Sequence, residues 1–161
     1  MEPQFKHFEP SYIVGMPSLI HTSKMKETIP LVWNHLREYF HQISNLTIPN
    51  QCIGFEYYPD DFVKTGLFYY MPSYIVKDLS SIPKNMCGKT IEGGFHAVFT
   101  HKGSTAMISK SFEYIYHDWL INNKEYELSS NYDFEYYDNR FMGMSEESEL
   151  EIWVPVKKIE A

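Results

Sequence analysis

The tetrapeptide Phe55-Glu56-Tyr57-Tyr58 returns as Phe134-Glu135-Tyr136-Tyr137, 79 residues further on. The same displacement carries Ile29, Trp33, Leu36 and Phe40 onto Ile108, Phe112, Ile115 and Trp119. Both quartets follow the i, i+4, i+7, i+11 spacing of one face of an amphipathic helix. It also carries Leu19-Ile20 onto Val98-Phe99, ahead of each helix. A Tyr-rich chain can repeat four letters by chance. Three elements at one displacement point instead to duplication. A further match sets Leu67-Phe68-Tyr69-Tyr70-Met71-Pro72 against Leu150-Glu151-Ile152-Trp153-Val154-Pro155. Its displacement is 83, which implies a second hairpin loop four residues longer.

Each half therefore reads strand, helix, strand, strand. The pattern predicts strands at 12–22, 52–58 and 66–76 with a helix at 28–44, then strands at 89–101, 132–138 and 149–157 with a helix at 105–122. Thr28 is placed to cap the first helix, with Pro30 in its first turn. Gly103-Ser104-Thr105 opens the second helix and Asn122-Asn123 closes it. Asp60-Asp61 and Asn139-Arg140 fall in hairpin loops, and 78–88, with Ser80-Ser81, Pro83 and Gly88, connects the halves. The expectation is one α+β domain over 1–161, with repeat units 5–77 and 88–159.

Composition narrows the class. No apolar run approaches the ~20 residues of a membrane helix, and the start MEPQFKHFEP lacks the apolar segment of a secretory signal. Cys52 and Cys87 stand far apart with no CxxC partner, as suits a reduced, cytoplasmic protein. The net charge of −7, with Lys and Arg scattered, argues against nucleic acid as a direct partner. Thirteen Tyr and eleven Phe exceed what a small core needs, so some rings are expected to line a surface or cavity. The seven His form no close ligand pattern, His35 and His41 being six apart, so no metal or other cofactor is expected. GxSxG, P-loop and Rossmann glycine patterns are missing too.

Strand side chains alternate between faces. Leu150, Ile152 and Val154 share the face expected beneath the helices, and Glu151 and Trp153 the other. Glu135 with Tyr137 oppose Phe134 with Tyr136, and the repeat supplies Glu56 with Tyr58 and Phe68 with Tyr70. The expected architecture is a curved antiparallel sheet with pseudo-two-fold symmetry, two helices on one face, and on the other a groove of carboxylates among rings. Such a groove suits an organic cation. Each ring face contributes ~0.5–2 kcal/mol, and an acid adds a charge-assisted contact that strengthens as water is excluded.

The run Gly94-Phe95-His96-Ala97-Val98-Phe99-Thr100-His101-Lys102-Gly103 fits a G-[YF]-x-A-V-F-x-H-x-G pattern. His117-Asp118-Trp119-Leu120, the second FEYY and Leu150–Pro155 follow in order, and Ile29-Pro30-Leu31-Val32-Trp33 and Ile53–Tyr58 agree in the first half. Over nearly its whole length the chain resembles the GyrI-like effector-binding domain, the ligand-sensing module of several AraC-type and MerR-type multidrug regulators. The resemblance implies a duplicated α+β domain that binds lipophilic, often cationic compounds. It places the key acid and ring at Glu135 and Tyr137, and a second pair at Glu151 and Trp153. Glu56, Tyr58, Tyr70 and Phe95 complete the candidate binding set, Phe95 standing where Tyr is commoner. With the first strand ~12 residues from Met1, no helix-turn-helix domain fits ahead of it, so the resemblance is to stand-alone members. Two other functions stay open. One is a hydrolase of reactive toxins in which Glu135 or Glu56 activates water. The other is a protein-interaction module like a DNA gyrase inhibitor.

Overall fold

The repeat reappears as a two-fold arrangement of strands in the computed structural model, which describes residues 1–160. In chain order the elements are β1 (Gln4–Phe8), β2 (Ser11–Gly15), β3 (Ser18–His21), α1 (Met25–Tyr39), β4 (Cys52–Tyr57), α2 (Phe62–Thr65), β5 (Leu67–Val76), β6 (Cys87–Ile91) and β7 (Gly94–Lys102). Then come α3 (Ile108–Tyr114), a π-helical turn (Ile115–Trp119), α4 (Leu120–Asn122), β8 (Tyr126–Leu128), β9 (Tyr132–Tyr137) and β10 (Glu149–Lys158). The sheet runs β1-β7-β10-β9-β4-β5-β2-β6, with β3 also on β5 and β8 also on β10. Every pairing is antiparallel. The repeat's own Phe55 and Phe134 face each other across the central β4–β9 pair. The outermost strands are exchanged: β1 of the first half pairs β7 of the second, and β6 of the second pairs β2 of the first.

Punctuation explains where the elements depart from expectation. The strand expected at 12–22 is broken at Met16-Pro17 into β2 and β3, since Pro17 has no N–H to donate. The strand expected at 89–101 is broken at Glu92-Gly93 into β6 and β7. Helix α1 starts at Met25, so Thr28 does not cap it and Pro30 lies inside it. Instead His21 Nδ1 accepts the Ser23 N–H at the entry to the preceding 3-10 turn. Ser104 does cap the second helical region, accepting from Ala106 N, and Asn123 Oδ1 closes it by accepting from Glu125 N and Tyr126 N. Neighbouring His101 donates Nε2–H to the Ser104 carbonyl and accepts Ser111 Oγ–H at Nδ1, which ties the end of β7 to α3.

Both helices cover one face of the sheet, packing Trp33, Leu36 and Ile115 against Phe68, Phe99, Leu150, Ile152 and Val154. The other face has its own buried cluster of Phe8, Ile13, Ile53, Phe55, Met71, Val98, Phe134 and Trp153. Phe8 on β1 meets Phe134 on β9 with ring centroids 4.8 Å apart. In a flat sheet those strands, three steps apart, would stand about 14 Å from each other. The sheet therefore curls toward the helix-free face and fills it with its own rings.

One register corrects the expected distribution of side chains. Tyr70 lies opposite Glu56, and Ile152 lies opposite Glu135. The last strands thus correspond at a displacement of 82, one less than aligning Pro72 with Pro155 suggests. A slip of one residue exchanges the two faces of a strand. Glu56, Tyr58, Tyr70, Glu135 and Tyr137 consequently lie beneath the helices, opposite to the expected groove face, while Glu151 and Trp153 lie on the helix-free face.

Candidate functional site

β9 directs Asp133, Glu135 and Tyr137 toward the helices, and the facing β4 directs Gly54 and Glu56 there. Glu135 is buried, and its Oε2 accepts Tyr70 Oη–H at 2.7 Å and Tyr137 Oη–H at 2.5 Å. Tyr70 Oη accepts in turn from Trp33 Nε1–H of α1 at 2.8 Å. The Trp33 and Tyr137 rings meet edge to face at 5.5 Å. This chain of donors needs space on β4. A Cβ on Gly54 would fall 2.3 Å from Tyr70 Oη and 2.6 Å from Glu135 Oε2, so only glycine lets the phenol reach the acid.

The Glu56 side is built differently. Glu56 lies opposite Asp133, and both are buried. Tyr58 Oη stands 2.7 Å from Glu56 Oε2 and 3.0 Å from Asp133 Oδ2, while Tyr116 Oη–H from the π-helical turn donates to Asp133 Oδ2. Tyr58 has one proton for two carboxylates, so the second contact requires a proton on one of the acids. Asp133 Oδ1 is buried with no hydrogen-bond partner. The Tyr58 ring packs on Phe62, Phe68 and Tyr116.

Three acids thus share one interior beneath the helices. None of the ion pairs among the described residues involves Glu56, Asp133 or Glu135. Burial raises the proton affinity of all three. Asp133 is pushed up to about 7 by burial, against the lowering effect of the Tyr116 and Tyr58 hydroxyls. Glu56 is raised well above the ordinary carboxylate range, first by burial and then by the Asp133 and Glu135 charges. Glu135 is raised by burial, with Tyr137 and Tyr70 opposing. Among the described residues no group of three His, Cys, Asp or Glu is arranged to hold a metal ion. The arrangement is a cage of three buried carboxyl groups walled by tyrosines and an indole.

The remaining predicted residues lie elsewhere. Glu151 is held on the helix-free face by Lys6 at 3.0 Å, Arg140 at 3.2 Å and Trp153 Nε1–H at 2.9 Å. Two cationic side chains thus flank the Glu151 carboxylate. Phe95, on β7, stacks with Phe5 at 5.6 Å and nears Tyr126 at 5.9 Å, forming a half-exposed aromatic patch apart from the cage. Sequence reasoning missed Asp133, Tyr116 and Gly54. Asp133 shares the strand parity of Glu135 and was legible on that ground. Tyr116 was not, because its approach depends on the π-helical turn. Two surface concavities, of about 540 and 500 Å³, are lined by residues such as His101 and Ser111, or His35 and Tyr39. No cage carboxylate lines either, and the cage is filled by its own rings.

The profile of the family described as GyrI-like small molecule binding domain matches residues 1–157. The chain belongs to this family. It is 29% identical over 131 residues to the transcriptional regulator BrlR of Pseudomonas aeruginosa, an overlap of 81% of this chain and 47% of BrlR. The chain thus spans about half the length of that relative. Among solved structures it is similar to SAV2435 bound to tetraphenylphosphonium, with a TM-score of 0.78 and 20% identity over 98% of this chain and 94% of that one. The EcmrR C-terminal domain superposes with a TM-score of 0.74 and 18% identity, covering 98% of each chain. The fold of this GyrI-like domain is therefore shared across distant sequences. No helix among the described residues is long and apolar enough to cross a membrane.

Proposed function

We propose that this GyrI-like domain binds lipophilic organic cations in the cage beneath its helices, with Glu135 as the principal counter-charge. One observation carries the reading: three buried carboxylates lie among tyrosines with no basic side chain paired to any of them. Burying an unpaired charge is expensive, so an incoming cation gains what the protein interior withholds. The tetraphenylphosphonium in the SAV2435 structure supports the same ligand class. Because Trp33, Tyr70 and Tyr137 fill the Glu135 side, admission of a ligand requires α1 to swing away from the sheet. The Trp33 indole then reports occupancy. Titration with tetraphenylphosphonium is expected to quench tryptophan fluorescence saturably, and Glu135→Gln to weaken binding about ten-fold or more. Quenching that never saturates, or that is the same in Glu135→Gln, sinks the reading.

A hydrolytic reading has one feature behind it: burial pushes the Asp133 carboxyl up to about 7, the range suited to a general acid or base. Turnover of a strained electrophile that is lost in Asp133→Asn would establish it, and stoichiometric binding without turnover would remove it.

A further inference from the structure

The two sides of the cage differ in what they lack. On the Glu135 side the acceptor has two hydroxyl donors, and one of these is itself held by an indole. On the other side Asp133 is wholly buried and its Oδ1 has no donor at all. Its neighbour Glu56 competes with it for the single Tyr58 proton. The side chains that surround these two acids are Tyr58, Tyr70, Tyr116 and Glu135 from β5, β9, the π-helical turn and the end of β4. None of them is a cation, and each tyrosine hydroxyl is already committed to a carboxylate.

We infer that the Glu56–Asp133 side is a second cation subsite, so that preferred ligands carry two cationic centres, one of them an N–H donor directed at Asp133 Oδ1. The inference rests on the proposed use of the Glu135 side for the first centre. The spacing follows from the strand. Asp133 and Glu135 are two residues apart on one face of β9, about 6.5–7 Å along it. A benzene ring with an aminomethyl group at each end spans that interval. Its ring can pack on the Tyr58 and Tyr116 rings, which lie edge to face at 6.4 Å. A quaternary or phosphonium centre carries no N–H and leaves Asp133 Oδ1 unpaired. An ammonium or amidinium pairs it.

The test compares p-xylylenediamine, a dication at neutral pH, with 4-methylbenzylamine, which has the same ring and one ammonium fewer. Calorimetric titration of the full chain is expected to show the diamine binding about ten-fold or more tightly. In Asp133→Asn and in Glu56→Gln the two amines are expected to bind alike. Should Asp133→Asn fail to fold, Tyr116→Phe, which frees a second Asp133 lone pair, is expected to keep the diamine preference. Equal affinities on the wild type overturn the inference, as does a preference that survives in both acid variants. Tetraphenylphosphonium separates the two proposals. If it binds in a Glu135-dependent way while the diamine gains nothing, the second subsite fails and the proposed function stands. If it does not bind while the diamine preference is present and lost in Asp133→Asn, the second subsite stands and the Glu135 reading fails.

Discussion

The Glu135 and Glu56 sides of the cage descend from the same four residues, yet they solve the burial of an acid in opposite ways. Gly54 on β4 and Asp133 on β9 hold equivalent places in the repeat, as do Tyr70 on β5 and Ile152 on β10. Where the chain has glycine and a tyrosine, one carboxylate oxygen accepts a phenol from each flank. Where it has a second acid and an isoleucine, one phenolic proton is divided between two carboxylates and an oxygen stays unpaired. Duplication supplied symmetric strands. Two positions in each half then decided which acid is preorganised and which is left wanting a partner.

The comparison breaks most severely at Gly54. Gly54→Ala inserts a methyl group 2.3 Å from Tyr70 Oη and 2.6 Å from Glu135 Oε2. Such overpacking costs about 3 kcal/mol, and urea unfolding together with loss of cation binding will register it. Tyr70→Phe follows. It leaves the Trp33 N–H and one Glu135 lone pair unserved, a loss of about 2 kcal/mol. Ile152→Val at the equivalent position removes one methyl group and is expected to cost about 1 kcal/mol. Equal costs for the two substitutions would contradict the asymmetry.

A pH series sharpens the same contrast. In the folded state all three acids hold protons above their ordinary range. The unfolded chain releases those protons above about pH 4. Their contribution to stability is therefore greatest below that pH, falls as pH rises toward the folded Asp133 value of about 7, and declines further until Glu56 has ionised. Urea midpoints measured from pH 4 to 8 should show the fall, with a shallower slope in Asp133→Asn. Tetraphenylphosphonium affinity should rise over the same interval as the cage acquires charge. The smallest effect belongs to the helix-free face. Glu151→Gln loses contacts to the half-exposed Lys6 and Arg140, and a change of about 0.5 kcal/mol is expected. Cation affinity should be untouched, and a loss there would restore Glu151 to the binding set.

The duplication, the helix stripes and the central strands were legible because they rest on periodicity within one displacement. The faces were not. The hairpin loop between β9 and β10 hides a displacement of 82, and the shared proline at Pro72 and Pro155 invites one of 83. That single step joined Trp153 to Glu135 on paper, whereas the backbone separates them by the thickness of the sheet. The exchanged strand β1 was equally hidden. Its five residues, Gln4–Phe8, carry little periodic signal, and their partner lies in the other half. Trp33, on the helix stripe, does pack in the core. Its donor role to Tyr70 depends on a third element meeting a fourth, and no local pattern records that.

The exchange of outer strands also sets an order of events at synthesis. β1 leaves the ribosome well before its hydrogen-bonding partner, residues 94–98 of β7. Until those residues emerge, Gln4–Phe8 has no edge to join, and β2 waits likewise for β6. The first half cannot finish by itself while the second is being made. Nascent chains are accordingly expected to acquire protease resistance in one late step rather than in two, and Phe5 and Phe8 are the rings a chaperone would meet in the interval.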